Sequence, residues 1–210
     1  MEQQILYFYF MYLDIGKKYD KIADWWHENH VNSSYGLEQI ERAIRYCQYK
    51  GSALDVGSGS GGRIIRKLIQ ESFTVYGIDA SAGMIAIAQS QHNECNFEQA
   101  NIIDWESDQQ FDLIIAWDSI FHLPMAMQKP VIAKLCRMLK NSGILIYTFG
   151  DAIDEHESEW HGDQFPYSSI GISGNLKTIM EGGCECLHLE LDQYPENHVF
   201  VIVQKRQQGV

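Results

Sequence analysis

The sequence predicts an α/β protein: a three-layer, doubly wound sheet of seven strands, six parallel and the last antiparallel, with helices at the N-terminus covering it. Three observations carry this. From Ala53 to Phe149, short apolar runs alternate with stretches of helical periodicity, the pattern of a parallel sheet with helices on both faces. The first apolar run leads into a glycine-rich stretch, Gly57-Ser58-Gly59-Ser60-Gly61-Gly62. The last two runs are separated only by Gln193 to Asn197. A parallel crossover takes a dozen or more residues, so these two strands are antiparallel if they are neighbours.

The elements follow in order. Ile5 to Leu13 is apolar and aromatic but lacks the basic start and small-residue cleavage site of a secretory signal. It reads either as a helix that docks on the domain or as the product of an upstream start codon, with Met11 as the natural start. Ile15, Tyr19, Ile22 and Trp26 fall at helical spacing, as do Leu37, Ile40, Ile44 and Cys47, with a polar loop from Asn29 to Gly36 between them. Ala53–Val56, Thr74–Ile78, Asn96–Ala100, Phe111–Trp117 and Gly143–Phe149 read as strands. Between them lie helices carrying Ile64, Ile65, Leu68 and Ile69, then Ser81–Gln91, then Val131, Ile132, Leu135, Cys136 and Leu139. Ser173–Glu181 reads as a helix stopped by Gly182-Gly183. Cys184–Asp192 and His198–Gln204 are the final strands. Asp151 to Ser169 reads as an acidic lid loop. The chain thus divides into a helical cap over 1–50 and a sheet domain over 51–210, with a lid insertion near 150–170.

Composition narrows the function. The 210 residues include 16 Lys and Arg against 28 Asp and Glu, a net charge of -12. Nucleic-acid binders neutralise phosphates with clustered bases, and no such cluster is present. The five cysteines are odd in number and scattered, which fits a reducing cytoplasm better than a disulfide framework. Cys184-Glu185-Cys186 lacks the second ligand pair of a zinc site, and no other spacing indicates a metal. No apolar run approaches the roughly 20 residues that cross a bilayer.

The glycine stretch satisfies Gly57-x-Gly59-x-x-Gly62, the dinucleotide fingerprint, so two cofactor classes compete. Asp55 stands two positions before the first glycine. A carboxylate there repels a pyrophosphate and suits a ligand with a positive head. Asp79 ends the second strand, where it accepts hydrogen bonds from ribose hydroxyls in either class. Asp104, in Asn101-Ile102-Ile103-Asp104-Trp105, stands where it accepts a bond from an exocyclic amine. Three acids at the ends of three successive strands, with no base among them, suit a cationic nucleoside.

Leu54 to Gly62, Asp79-Ala80-Ser81-x-x-Met84-x-x-x-Ala88, Asp104 and Phe111-Asp112-Leu113-Ile114 together resemble class I S-adenosylmethionine-dependent methyltransferases, from about residue 53 to 150. The resemblance implies a Rossmann-like fold, S-adenosylmethionine as cofactor and S-adenosylhomocysteine as product. By it, Gly57, Gly59 and Gly61 line the methionine part, with Ser58 between them and Asp55 holding the loop. Asp79 and Ala80 meet the ribose, Met84 packs near the adenine, and Asp104, flanked by Ile103 and Trp105, receives the adenine amine. Trp117 borders the site at the end of the fourth strand, and Tyr19 lies on a helix that closes over the cofactor.

Methyl transfer from a sulfonium needs alignment and exclusion of water more than acid–base groups. The sequence accordingly shows no strong catalytic constellation; its candidates are Asp118, His122, His161 and Tyr167. Against each stands a plainer reading: a cap for Asp118, a structural histidine for His122, a solvated loop for His161 and Tyr167. The expected acceptor is a small molecule, and the expected state a monomer or homodimer. The alternatives are a tRNA or protein methyltransferase, a non-catalytic cofactor-binding module, and a nicotinamide oxidoreductase, which Asp55 and the reversed last strand disfavour.

Overall fold

The computed structural model describes residues 14–207, so the aromatic segment from Ile5 to Leu13 lies outside the described residues. The strands are β1 (Ser52–Val56), β2 (Thr74–Asp79), β3 (Asn96–Gln99), β4 (Phe111–Ala116), β5 (Leu139–Gly150), β6 (Ile153–Trp160), β7 (Asp163–Ile170), β8 (Cys184–Leu191) and β9 (His198–Lys205). The helices are α1 (Ile15–Asp20), α2 (Ala23–His30), α3 (Leu37–Tyr46), α4 (Arg63–Gln70), α5 (Ala82–Gln91), α6 (Met125–Arg137) and α7 (Gly171–Glu181).

Seven strands form one sheet in the order β3-β2-β1-β4-β5-β9-β8. The ladders joining β3, β2, β1, β4 and β5 are parallel, and β9 is antiparallel to both β5 and β8. The short connection does make the last two strands antiparallel. The reversed strand is inserted between β5 and β8, which leaves six strands pointing one way.

Strand alternation sends neighbouring residues into two different cores. Leu54, Ile114, Leu145 and Val201 face α6, α7 and β7. Ala53, Leu113, Ile115, Ile144 and Ile202 face α3 and α4, where Ile40, Ala43, Ile65 and Leu68 meet them. These strands read as unbroken apolar runs because both faces are covered. Each fully buried Ile or Leu contributes about 1.5–3 kcal/mol of transfer free energy.

Three expectations are corrected. The stripe from Ile15 to Trp26 is two helices: Ile22 leaves helical geometry (φ -120, ψ 11), so α1 and α2 meet at a corner. Leu139, placed at the end of a helix by its spacing, opens β5 instead. The segment from Asp151 to Ser169 is not a loop. β6 and β7 pair antiparallel over their whole length, from Ile153↔Ile170 to Trp160↔Asp163. Acids on both faces of β6 hide the strand, since Asp154 is exposed while Glu155 and Glu157 on the opposite face are half-buried; Phe165, Ser168 and Ile170 of β7 are buried.

The hairpin is held from beneath by a buried glutamine. Gln128 Nε2 on α6 donates to the Ile120 carbonyl at 2.9 Å and to Ser168 Oγ at 3.0 Å. Gln128→Leu strips these acceptors of their donor and is expected to cost about 1–3 kcal/mol in urea unfolding. It is also expected to speed native-state proteolysis within β6 and β7; unchanged cleavage would show that the hairpin is held by other contacts.

Candidate functional site

The carboxyl ends of the central strands open onto a cavity of about 340 Å³. This is where an open α/β sheet binds ligands. The turn after β1 forms its floor. Gly57 has φ +76, and a side chain there would bring its Cβ within 2.4 Å of Ser119 Cβ, so only glycine permits the turn. The Gly57 and Ser58 N–H groups both donate to the Ile78 carbonyl, at 2.8 and 3.0 Å.

Asp79 organises this floor. Its Oδ2 accepts from the Gly59 N–H and its Oδ1 from the Ser81 N–H, each at 2.8 Å. Ser81 then caps α5, its hydroxyl accepting from the Met84 N–H at 3.0 Å. Asp20, at the end of α1, accepts from the Ser81 hydroxyl at 2.6 Å and the Gly83 N–H at 2.8 Å. An anion at a helix N-terminus is favoured by the exposed N–H groups and the helix dipole. Gly16 completes the docking of α1, because a Cβ there would lie 2.2 Å from the Ala80 carbonyl oxygen.

Tyr19, Asp55, Gly57, Ser58, Gly59, Asp79, Ala80, Met84 and Trp117 all line the cavity, and so do the candidates Asp118 and His122. Gly61 does not. A Cβ there would meet Ala88 Cα at 3.1 Å, and its carbonyl is bonded to His92 Nε2 at 2.7 Å, so Gly61 seats α5 against the loop. Ile103, Asp104 and Trp105 are absent from the lining as well. The chain turns at Asn101, whose carbonyl accepts from the N–H groups of Asp104 and Trp105 at 3.0 and 2.8 Å. That turn brings Asn101 and Ile102 to the cavity in place of Asp104. Lys134 Nζ on α6 holds the turn by donating to the carbonyls of Ile102, Ile103 and Trp105 at 2.8–3.0 Å.

His161 and Tyr167 are also outside the lining. His161 sits at the hairpin tip with its ring 4.1 Å from that of Trp25, and Tyr167 stacks on Phe121 and His156. His122 is buried between segments. Its Nδ1 lies 2.7 Å from the Pro166 carbonyl, which can only accept, so Nδ1 carries the proton. Its Nε2 then accepts from the Tyr19 hydroxyl at 2.9 Å. Burial pushes its pKa down to about 4, against the pull of the Pro166 carbonyl. A neutral histidine with both nitrogens engaged ties α1 to β7 and is poorly placed to accept another proton. Sequence reasoning passed over Tyr35, His30 and Arg63, which also line the cavity. Arg63 follows the last glycine of the loop directly, a position the motif could have flagged. Among the described residues it is the only Lys or Arg in the lining, and its guanidinium lies 5.3 Å from the Tyr35 ring centre.

Burial raises the Asp55 carboxyl to about 7, against the attraction of Arg63, and raises Asp79 to about 6, against its two N–H bonds. The Ser58 and Ser119 hydroxyls and the Trp117 indole N–H are buried without a partner in the same lining. Unpaired buried polar atoms around one cavity are the mark of a site built for a polar ligand.

A family model described as a methyltransferase domain matches residues 53–143. The chain is 29% identical over 169 residues to a ubiquinone biosynthesis O-methyltransferase of Rickettsia prowazekii, covering 69% of this chain and 66% of that protein. It is 32% identical over 120 residues to a trans-aconitate 2-methyltransferase of Escherichia coli, covering 53% and 47%. The chain therefore spans about half to two thirds of the length of these curated relatives. Among solved structures, magnesium protoporphyrin IX methyltransferase of Synechocystis with bound SAH superposes with a TM-score of 0.72 at 14% identity, over 93% of this chain and 99% of that one.

A carboxyl raised by folding stabilises the fold while it is protonated and loses that contribution as pH rises through its folded pKa. Asp55 and Asp79 therefore weaken the protein from about pH 4 up through about pH 7. Asp55→Asn, which removes one of the two groups, is expected to flatten that fall in urea unfolding compared between pH 5 and pH 8. An unchanged slope would show that Asp55 is ionised throughout.

Proposed function

We propose that this chain, a member of the class I S-adenosylmethionine-dependent methyltransferase family by its methyltransferase-domain segment and its fold, transfers a methyl group to a small organic acceptor. The observation that carries the reading is Asp79. It ties the glycine turn to the N-terminus of α5 at the floor of a cavity whose lining leaves three buried polar atoms unpaired.

These residues fit the cofactor. Asp79 has carboxylate lone pairs left for ribose hydroxyls, Met84 supplies an apolar wall, and the turn at Asn101 supplies the edge expected of Asp104. Asp55 lies beneath the loop, where its charge favours a cationic ligand. When bound, the cofactor supplies a methyl group already activated by its sulfonium. The protein has to hold the acceptor in line and keep water out. Tyr19, Trp26 and His30 cover the cavity from the N-terminal side, with the Trp26 and His30 rings stacked 4.0 Å apart. Trp160 of the hairpin packs edge-on against Trp26 at 5.8 Å, which closes the roof. A covered cavity favours a small acceptor over a polymer, and two relatives, a ubiquinone biosynthesis O-methyltransferase and a trans-aconitate 2-methyltransferase, point the same way.

Asp79→Ala is expected to weaken S-adenosylhomocysteine binding by roughly 1.5–3 kcal/mol for each hydrogen bond lost to the charged group. Calorimetry that finds unchanged affinity would remove Asp79 from the site. The activity is tested by offering methyl-tritiated S-adenosylmethionine and the purified protein to separated metabolite, tRNA and protein fractions. Label in metabolites is the expected outcome. Label in tRNA or protein would overturn the acceptor class, and binding without transfer would indicate a non-catalytic module.

A further inference from the structure

Asp118, which lines the cavity, is joined through His198 to Asp192, a contact that brings the end of β4 to the turn between β8 and β9. His198, the first residue of β9, has Nε2 3.0 Å from Asp118 Oδ1 and Nδ1 2.5 Å from Asp192 Oδ1. Ionised carboxylates only accept, so both ring nitrogens donate and the imidazole is a cation. Burial opposes that charge, but the bonds to Asp118 and Asp192 outweigh it and hold the imidazole above its ordinary range. Asp192 is steadied by Gln39 Nε2 at 3.2 Å.

Asp118 is set with unusual care. It adopts φ +50, a region non-glycine residues seldom enter. Its N–H donates to Thr148 Oγ1 at 2.8 Å, and the Thr148 hydroxyl donates back to Oδ1 at 3.2 Å. Beside it in the lining, Trp117 is buried with its indole N–H unpaired. The line of two carboxylates and one imidazolium keeps one net negative charge, which the guanidinium of Arg63 in the same lining balances. A hydroxyl suits the carboxylate and the indole together: it donates to Asp118 and its oxygen accepts from Trp117. A protonated amine cannot accept at all.

Resting on the methyltransferase reading above, we infer that the acceptor is a neutral hydroxyl compound whose hydroxyl is received by Asp118, with His198 as the positioning residue that orients Asp118. The hydroxyl oxygen bonds the methyl carbon, and the methyl–sulfur bond breaks with its electron pair kept by sulfur. The hydroxyl proton passes to the Asp118 carboxylate and then to water. Asp118 is the catalytic residue of this step.

The test offers methyl-tritiated S-adenosylmethionine with three separate probe pools: phenols and alcohols, alkylamines, and di- and tricarboxylic acids. S-adenosylhomocysteine affinity is measured in parallel by calorimetry. Label is expected in the hydroxyl pool alone. Asp118→Asn should lower kcat by about 100-fold or more, the range of a lost general base. It should leave the S-adenosylhomocysteine Kd within about twofold, and Asp118→Glu should recover part of the rate. His198→Gln should lower kcat while leaving the acceptor KM and the S-adenosylhomocysteine Kd within about twofold, because Asp118 loses the donor that orients its carboxylate. The other ionisable groups near Asp118 are Arg63, Tyr35, Tyr19 and His122, and they stay in place. A purely structural histidine would disturb kcat, KM and the S-adenosylhomocysteine Kd together.

Label confined to the amine or acid pools, label in none of the three, or an Asp118→Asn variant with undiminished kcat would overturn the inference while the methyltransferase reading stands. Loss of S-adenosylhomocysteine affinity in that variant would assign Asp118 to the cofactor instead. Failure of the unaltered protein to bind S-adenosylhomocysteine would bring down both readings.

Discussion

A half-buried carboxylate at the end of β2 binds together the segments that bound the cavity. Asp79 accepts one N–H from the glycine turn and one from the start of α5, and each bond is made to a charged acceptor within the protein. Through Ser81 the same junction reaches Asp20, and so the corner where α1 meets the domain. Burial makes this carboxyl costly to ionise without a ligand, which is a stability cost located where a cationic nucleoside would offset it.

The roof depends on a different kind of contact. His122 joins Tyr19 to Pro166, and the rings of Tyr19, Trp26, Trp160 and Phe165 meet mostly edge to face at 5.3–6.3 Å. Such pairs favour that geometry and contribute modestly each. Helix and hairpin are thus held together over the cavity by packing, one neutral hydrogen-bonded histidine, a Lys18 Nζ bond to the Gln164 carbonyl and the Lys21–Asp163 ion pair. The Lys21–Asp163 pair is largely solvent-exposed, so that part of the hold weakens with ionic strength while the packing does not. The exposed acids of β6 keep the hairpin solvated.

Among the described residues no helix is long and apolar enough to cross a membrane, and no group of three His, Cys, Asp or Glu is placed to hold a metal ion. The charge that matters sits inside. Asp55, Asp79 and Asp118 line the cavity with Arg63, among the described residues, as the one Lys or Arg opposing them, and this internal balance is a sharper guide to ligands than the net charge of the whole chain.

The sheet, its strand directions and the cavity floor were legible in the sequence because each is written locally. Unbroken apolar runs mark strands covered on both faces. A glycine turn, Asp55, Asp79 and Met84 keep fixed spacing from strand ends and helix starts, so a motif reports them directly. The hairpin was not legible, since the acids of β6 look like a solvated loop until Phe165 and Ser168 of β7 find their buried partners. Asp104 lies outside the lining because of the turn at Asn101, which Lys134 holds from another helix. Asp118 and His198 lie 80 positions apart, and Asp192 stands beyond a turn from His198. Nothing in their neighbours' spacing announces that the insertion of β9 beside β5 will bring them together. The sequence by itself determined the elements and the floor of the cavity, through periodicity and turn chemistry. The roof and the acid–histidine line were decided by tertiary structure alone, because they are made of contacts between segments that local spacing cannot relate.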